Sequence, residues 1–267
     1  MVQTPKQVIR LPGYLWGSLE YHLAGRLYTA KPRMIQFPVC DRCNARCIMC
    51  RRWSKPASRE ISTAKIREVF NNPLFTKVEQ VNLHGGEPTL RGDLAEICQI
   101  LQDHCPKLSS IWISTNGIGS KRIETRLQEI IRILDFTRIR SLEINVSIDG
   151  IGATHDRIRG VPGGFDQARA TVETVQKLAQ AYPLGLTIGT VIQPLNLHEL
   201  DKIESFAADL GVPVLFQPLA FDDFFNLHAD SDLRFSPEDQ KFLHKLVRDK
   251  LSLGRSPASF YWHDYSR

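Results

Sequence analysis

Four of the six cysteines in this chain fall between Cys40 and Cys50, in the run VCDRCNARCIMC. Cys43, Cys47 and Cys50 are spaced C-x3-C-x2-C. Three thiolates from one short loop can each hold one iron of a cubane cluster, which leaves the fourth iron without a protein ligand. An open iron permits chemistry at the cluster, as an open position does at catalytic metals. Counted from Cys40 the spacing is C-x2-C-x3-C-x2-C, which could instead wrap a tetrahedral zinc ion or a fully ligated cluster. Two features weigh against zinc. Three residues between the pairs leave little chain to fold back, and Cys40 falls at the expected end of a strand, where its thiol can point inward. Arg46, Arg51 and Arg52 flank the run; their guanidinium groups would offset a cluster's negative charge, or form a solvated basic loop. Cys98 and Cys105 read as a buried thiol and a helix-end thiol.

The other dense polar segments recur at intervals. GGEP follows a second strand candidate, Ser114 to Gly117 end a third, SIDG ends a fourth, and Gln193 to Asn196 follow a fifth. The periodicity predicts strands over Met34–Val39, Gln80–His84, Ser110–Thr115, Leu142–Ile148, Leu186–Ile192 and Val214–Gln217. It predicts helices over Thr63–Asn71, Leu94–Asp103, Lys121–Leu134, Asp166–Ala181, Leu197–Leu210 and Pro237–Leu253. Ser62 or Thr63 can cap the first helix and Ser236 the sixth. Asn196 with Glu199 has the form of a capping box for the fifth, and Gly211 and Gly254 suit left-handed caps. No repeat of 20–50 residues is visible. Six strand-then-helix units imply an α/β fold with a parallel sheet, either doubly wound or curved into a partial barrel. In a parallel sheet the strand ends share one rim, so the polar segments converge where such folds place ligands.

With 42% hydrophobic and 24% charged residues, the 267-residue chain has the composition of a globular protein. A net charge of +5 does not imply nucleic acid. No apolar run is long enough to span a membrane, and the N-terminus lacks a signal core, so a cytoplasmic location is expected. Outside an oxidising compartment, clustered cysteines point to metal or redox chemistry rather than disulfides. The segment from Leu11 to Leu27 suits a short amphipathic helix packed on the domain.

CNARCIMC, GGEPTL, STNG, SIDG and HDRIRG, in that order on successive units, resemble the radical S-adenosylmethionine (SAM) superfamily. The resemblance covers roughly residues 33–220. It is closest to the branch of the pyrroloquinoline-quinone and molybdenum-cofactor biosynthetic enzymes and the anaerobic sulfatase maturases. It implies a partial (β/α)6 barrel with a [4Fe-4S] cluster on Cys43, Cys47 and Cys50. It also implies SAM on the open iron, and cleavage to methionine and a 5′-deoxyadenosyl radical that takes hydrogen from a substrate. Gly85 and Gly86 would let backbone approach the ligand, with Glu87 either joining them or bracing the loop. Ser147 and Asp149 would meet the ribose hydroxyls, and Arg159, in a loop, would clamp the methionine carboxylate, with Arg157 a weaker candidate. Asn116 and Gln193 would line the pocket, and Val191 and Ile192 would pack on adenine. An electron donor such as flavodoxin or ferredoxin is implied; the substrate (a peptide, a sugar nucleotide or a cofactor precursor) stays open.

The expected organisation is an N-terminal extension over 1–32, the core over 33–220, and a C-terminal loop and helix over 221–267. Many members of the branch carry a cysteine-rich auxiliary-cluster domain at the C-terminus. No cysteine follows Cys105, so either one cluster suffices or the sequence is a fragment. The aromatic groups Phe221, Phe224 and Phe225, and Phe260, Tyr261 and Trp262, could cover the barrel or await a partner surface. Cys40 departs from the small or hydroxylated residue frequent at that position.

Overall fold

A computed structural model describes residues 31–54, 60–219 and 233–252. The expected helix at Leu11 to Leu27, both aromatic groups and Gly254 lie outside these residues. Six strands form where the periodicity places them, with ends shifted by at most two residues: β1 (Met34–Cys40), β2 (Gln80–Gly85), β3 (Ser110–Thr115), β4 (Ser141–Ser147), β5 (Leu184–Ile192) and β6 (Val214–Pro218). The helices are α1 (Thr63–Phe70), α2 (Leu94–His104), α3 (Ser120–Ile133), α4 (Ala153–Arg159), α5 (Gly164–Ala179), α6 (Leu200–Asp209) and α7 (Pro237–Ser252).

The strands pair in sequential order, β1 to β6, every neighbour parallel. That order decides between the two sheets the sequence left open. A doubly wound sheet reverses its order at a switch point, whereas crossovers of one hand in sequential order put all helices on one face. The result is a curved partial barrel with one covered and one open face. The covered face carries Val81, Leu83, Ile111, Ile113, Leu142 and Ile144, all fully or almost fully buried in the main core. The alternate residues of the same strands, Trp112 apart, are polar, and all are only partly covered, as period-2 strands with one solvated face require.

Two start signals hold. The Ser62 hydroxyl accepts from the Lys65 amide at the start of α1. At the start of α7, Ser236 and Asp239 exchange bonds: Asp239 N donates to Ser236 Oγ and Ser236 N to Asp239 Oδ2. Gly211 takes the left-handed conformation (φ 66°) after α6. The box expected from Asn196 and Glu199 does not form. A 3-10 turn at Leu197–Glu199 precedes α6, and both side chains are used across the chain. Glu199 accepts from Ile151 N and Thr154 Oγ1, at the start of α4. Asn196, fully buried, accepts from Gln193 N and donates to Asp149 O and Val191 O. It ties the chain beyond β4 to the end of β5. Asn196→Ala removes three bonds and strands buried backbone groups. It is expected to cost about 2–5 kcal/mol, read from denaturant unfolding of the reconstituted protein; a change within 0.5 kcal/mol (about the surface-substitution range) would contradict this role.

Candidate functional site

The cysteine loop after β1 has little regular structure, and neighbouring backbone holds it in place. On one side Gly86 N donates to Cys40 O (2.7 Å) and Glu87 N to Arg42 O (2.8 Å). On the other, Arg46 N donates to Arg159 O (2.8 Å) and Ile48 N to Ile158 O (3.0 Å). Both approaches depend on glycine. A Cβ on Gly86 would lie 2.1 Å from Arg42 O, and one on Gly160 2.5 Å from Arg46 O. Gly85 (φ 130°) would put its Cβ 2.2 Å from Cys40 O. The missing side chains of Gly85 and Gly86 make room for the cysteine loop itself.

Glu87 braces this junction. Its fully buried carboxylate accepts from Thr89 N, Thr89 Oγ1 and Thr115 Oγ1 on one oxygen and from Asn116 N on the other. With those lone pairs engaged, Glu87 holds the ends of β2 and β3 together. Asn116 carries the link onward: its Nδ2 donates to Asn44 Oδ1 (2.8 Å) and lies 3.6 Å from Cys43 Sγ, while its Oδ1 accepts from Ile118 N.

Arg159 is not in a loop, as expected from sequence, but in the last turn of α4, and its side chain is nearly enclosed. Its Nη1 lies 3.8 Å from Cys47 Sγ and its Nε 2.6 Å from Asp149 Oδ2. The second contact is an ion pair by distance, without hydrogen-bond alignment. Asp149 accepts from Val191 N through Oδ1 and is fully buried. Burial pushes its carboxyl up, and the guanidinium and the Val191 amide pull against it. Asp149 therefore does not present a carboxylate beside Ser147, as the two-residue spacing implied. The strand stops at Ser147, and the chain turns the acid inward. Ser147 stays on the open face, partly exposed.

Val191 and Ile192 part company for the same reason that strands alternate. Val191 packs with the cysteine loop's cluster, including Cys47, Met49 and Ile158. Ile192 is buried among the helix-side core residues and cannot share an adenine with Val191; that expectation is corrected. Gln193 is fully buried with neither amide atom partnered by protein. Arg157 is exposed. Of the basic flank, Arg46 lies over the Trp53 ring (5.2 Å) and Arg52 pairs with Asp41.

His155 opens the HDRIRG motif, but the sequence assigned it no role. Its imidazole is buried, its Nδ1 accepts from Asp149 N, and burial and the Arg159 charge push its pKa down to about 3. Cys40 is buried and donates to Glu87 O (3.2 Å); burial pushes its thiol up to about 12. It is committed to the protein rather than offered as a fourth ligand. Burial likewise pushes Cys47 to about 11, against the pull of Arg159, and raises Cys43. Cys98 and Cys105 are buried in the helix-side core. Among the described residues no three acidic, histidine or cysteine side chains close on one metal position. A cubane does not need that, because it spreads three thiolates over three irons.

A model of the radical SAM superfamily matches residues 37–207. The chain belongs to the radical SAM superfamily. It is 29% identical to the AdoMet-dependent heme synthase of Methanosarcina barkeri over 81% of this chain and 58% of that protein. It is 29% identical to the mycofactocin maturase MftC of Mycobacterium tuberculosis over 78% of this chain and 52% of that protein. The fold matches that of anSMEcpe with bound AdoMet and the Cp18Cys peptide (TM-score 0.61, 17% identity, 83% of this chain and 61% of that one). The chain thus spans about half the length of the curated relatives it matches. This superfamily uses a [4Fe-4S] cluster and SAM, and the residues here fit both groups. Amide and guanidinium donors lie beside the Cys43 and Cys47 sulfurs. Next to them, buried polar atoms of Asp149, Arg159 and Gln193 lack aligned protein partners.

Two predictions follow from this packing. Gly86→Ala drives a Cβ into Arg42 and Asp41 carbonyls, at a cost of about 1–3 kcal/mol. Iron per chain after anaerobic reconstitution should fall sharply, while Gly92→Ala, whose nearest contact is 3.9 Å away, leaves it unchanged; equal iron in both would contradict the clamp. His155 is neutral in the fold, so the unfolded chain binds its proton first as pH falls. Stability present above 6.5 is therefore lost between 6.5 and about 3, with a slope of up to about 1.4 kcal/mol per pH unit. Denaturant unfolding between pH 7 and pH 5 (roughly the window in which His begins to charge) should show a shallower decline in His155→Asn; identical slopes would contradict the neutral state.

Proposed function

We propose that this chain is a radical SAM enzyme in which Cys43, Cys47 and Cys50 hold one [4Fe-4S] cluster and the ends of β4 and β5 hold SAM. The observation that carries the proposal is the anchoring of all three thiols in one loop against the buried Asp149–Arg159 ion pair and the Gln193 amide, which no protein group partners. Held by Cys43, Cys47 and Cys50, a [4Fe-4S] cluster with one open iron would supply the electron for reductive cleavage of bound SAM to methionine and a 5′-deoxyadenosyl radical. The chain's own residues bind and orient. The Arg159 guanidinium, steadied by Asp149 above Cys47, suits the methionine carboxylate. Ser147, partly exposed at the end of β4, suits a ribose hydroxyl. Val191, in the apolar group that includes Cys47 and Met49, offers adenine a surface. Glu87, Asn116 and His155 position these groups without touching ligand.

In this reading the radical takes hydrogen from a substrate that is a peptide, a sugar nucleotide or a cofactor precursor, and flavodoxin or ferredoxin supplies the electron. The core is 33–220, preceded by an extension over 1–32 and followed by the segment over 221–267, in a cytoplasmic protein. Among the described residues no helix is long and apolar enough to cross a membrane.

Anaerobic reconstitution tests the proposal. The wild type should bind about four irons per chain. Cys43→Ala, Cys47→Ala and Cys50→Ala should each lose the cluster, and Cys40→Ala should keep it. Reduced with dithionite in the presence of SAM, the wild type should form 5′-deoxyadenosine and methionine. A colourless zinc protein, or cluster loss in Cys40→Ala with retention in Cys43→Ala, would overturn the assignment.

A further inference from the structure

The open face of the sheet is not uniformly polar; its charge is placed. Asn82 Nδ2 donates to Gln36 Oε1, Ser114 Oγ to Asn82 Oδ1, and Thr187 Oγ1 to Asn145 Oδ1, so neutral amides and hydroxyls satisfy one another across strands. Glu143 differs. It sits midway along β4, its register partners are Trp112 on β3 and Gly185 on β5, and no hydrogen bond or ion pair is made by its carboxylate among the described residues. Gly185 leaves the space that the carboxylate fills: a Cβ there would lie 1.7 Å from Glu143 Oε2. Gly189 does the same for Asn145, with a Cβ 2.7 Å from its Nδ2. No open-face position of the six strands is a lysine or arginine. His84, on this face of β2, has its pKa lowered by burial and by Arg52. Among the strand residues of this face, Glu143 is the only one that carries a formal charge.

We propose that Glu143, beside Trp112, selects a substrate whose inward-reaching part is an organic cation, an ammonium or guanidinium group. The inference rests on the reading of this chain as a radical SAM enzyme, with the open face, which runs on to Ser147 and Val191 at the cysteine rim, as the substrate's side. A partly exposed carboxylate without a protein partner attracts a cation, and an indole beside it adds to that attraction. The same face repels carboxylate-rich or phosphate-rich groups, which would enter without a single cationic partner on the strands. Trp112 Nε1 is buried without a partner, a further donor that an acceptor on such a substrate could meet.

Binding to the reconstituted full chain with SAM present tests this by saturation-transfer NMR and calorimetry. The probes are the tripeptides Gly-Lys-Gly, Gly-Leu-Gly and Gly-Glu-Gly, with cadaverine as a free amine. The lysine peptide or the amine should bind at least about tenfold more tightly than the glutamate peptide; which of the two binds better tells a peptide source from a small amine. Glu143→Gln should erase the preference and Glu143→Lys reverse it, at unchanged iron content and 5′-deoxyadenosine formation. Equal affinities, a preference untouched in Glu143→Gln, or no binding by any probe would overturn the inference. None of these outcomes bears on the cluster or SAM cleavage, whose failure would show separately as lost iron or absent 5′-deoxyadenosine.

Discussion

The site depends on backbone pressed against backbone. A loop carrying three cysteines has no repeating hydrogen bonds to define it, and a cluster constrains it only after binding. Here backbone hydrogen bonds from both sides clasp the loop. The Gly86 and Glu87 amides hold it from the β2 side, and it donates to the carbonyls of Ile158 and Arg159 on the other. Such approaches leave no volume for Cβ atoms, so sterics alone require glycine at 85, 86 and 160. The other site residues follow. Glu87 holds the β2 end against β3, Asn116 passes that link to Asn44 and Cys43, and α4 delivers Arg159 to Cys47.

Electrostatics then works within a fixed frame. Enclosing a guanidinium is costly unless it is paired, and Asp149 supplies the pairing while its own second oxygen is held by the Val191 amide. The position leaves Arg159 between a carboxylate and a sulfur. The buried thiols resist ionisation, so metal binding must drive out their protons and is linked to folding of the loop. Neutral His155 fills the space behind the pair without adding a positive charge beside Arg159.

Much of this was legible in the sequence because the strands are short and strongly patterned, and the polar motifs mark their ends. The cysteine spacing and the order of motifs gave the family. What stayed hidden depends on tertiary contact. Helix α4 has seven residues, opens on Gly152 without a side-chain cap, and draws its buffering from Glu199, far along the chain. Read locally, HDRIRG is only a charged loop. Asn196 and Glu199 have the sequence form of a capping box, yet distant backbone claims them. The different fates of Val191 and Ile192 were implicit in the two-residue period, whereas the inward turn of Asp149 was not, since that period ends with the strand at Ser147. Doubly wound and barrel sheets share a periodicity, and only strand order separates them.

The central claim is that the loop-bound cluster and the β4–β5 rim form a single site joined by Arg159. It is tested most directly by titrating SAM into reduced, cluster-replete protein and following the cluster's electron paramagnetic resonance spectrum, in the wild type and in Arg159→Ala at equal iron content. The spectrum should change on SAM binding in both proteins. The variant should need roughly ten- to a hundredfold more SAM, the loss of one charged contact of about 1.5–3 kcal/mol. Superimposable titrations would contradict the claim, because Arg159 would then hold the loop but not the ligand.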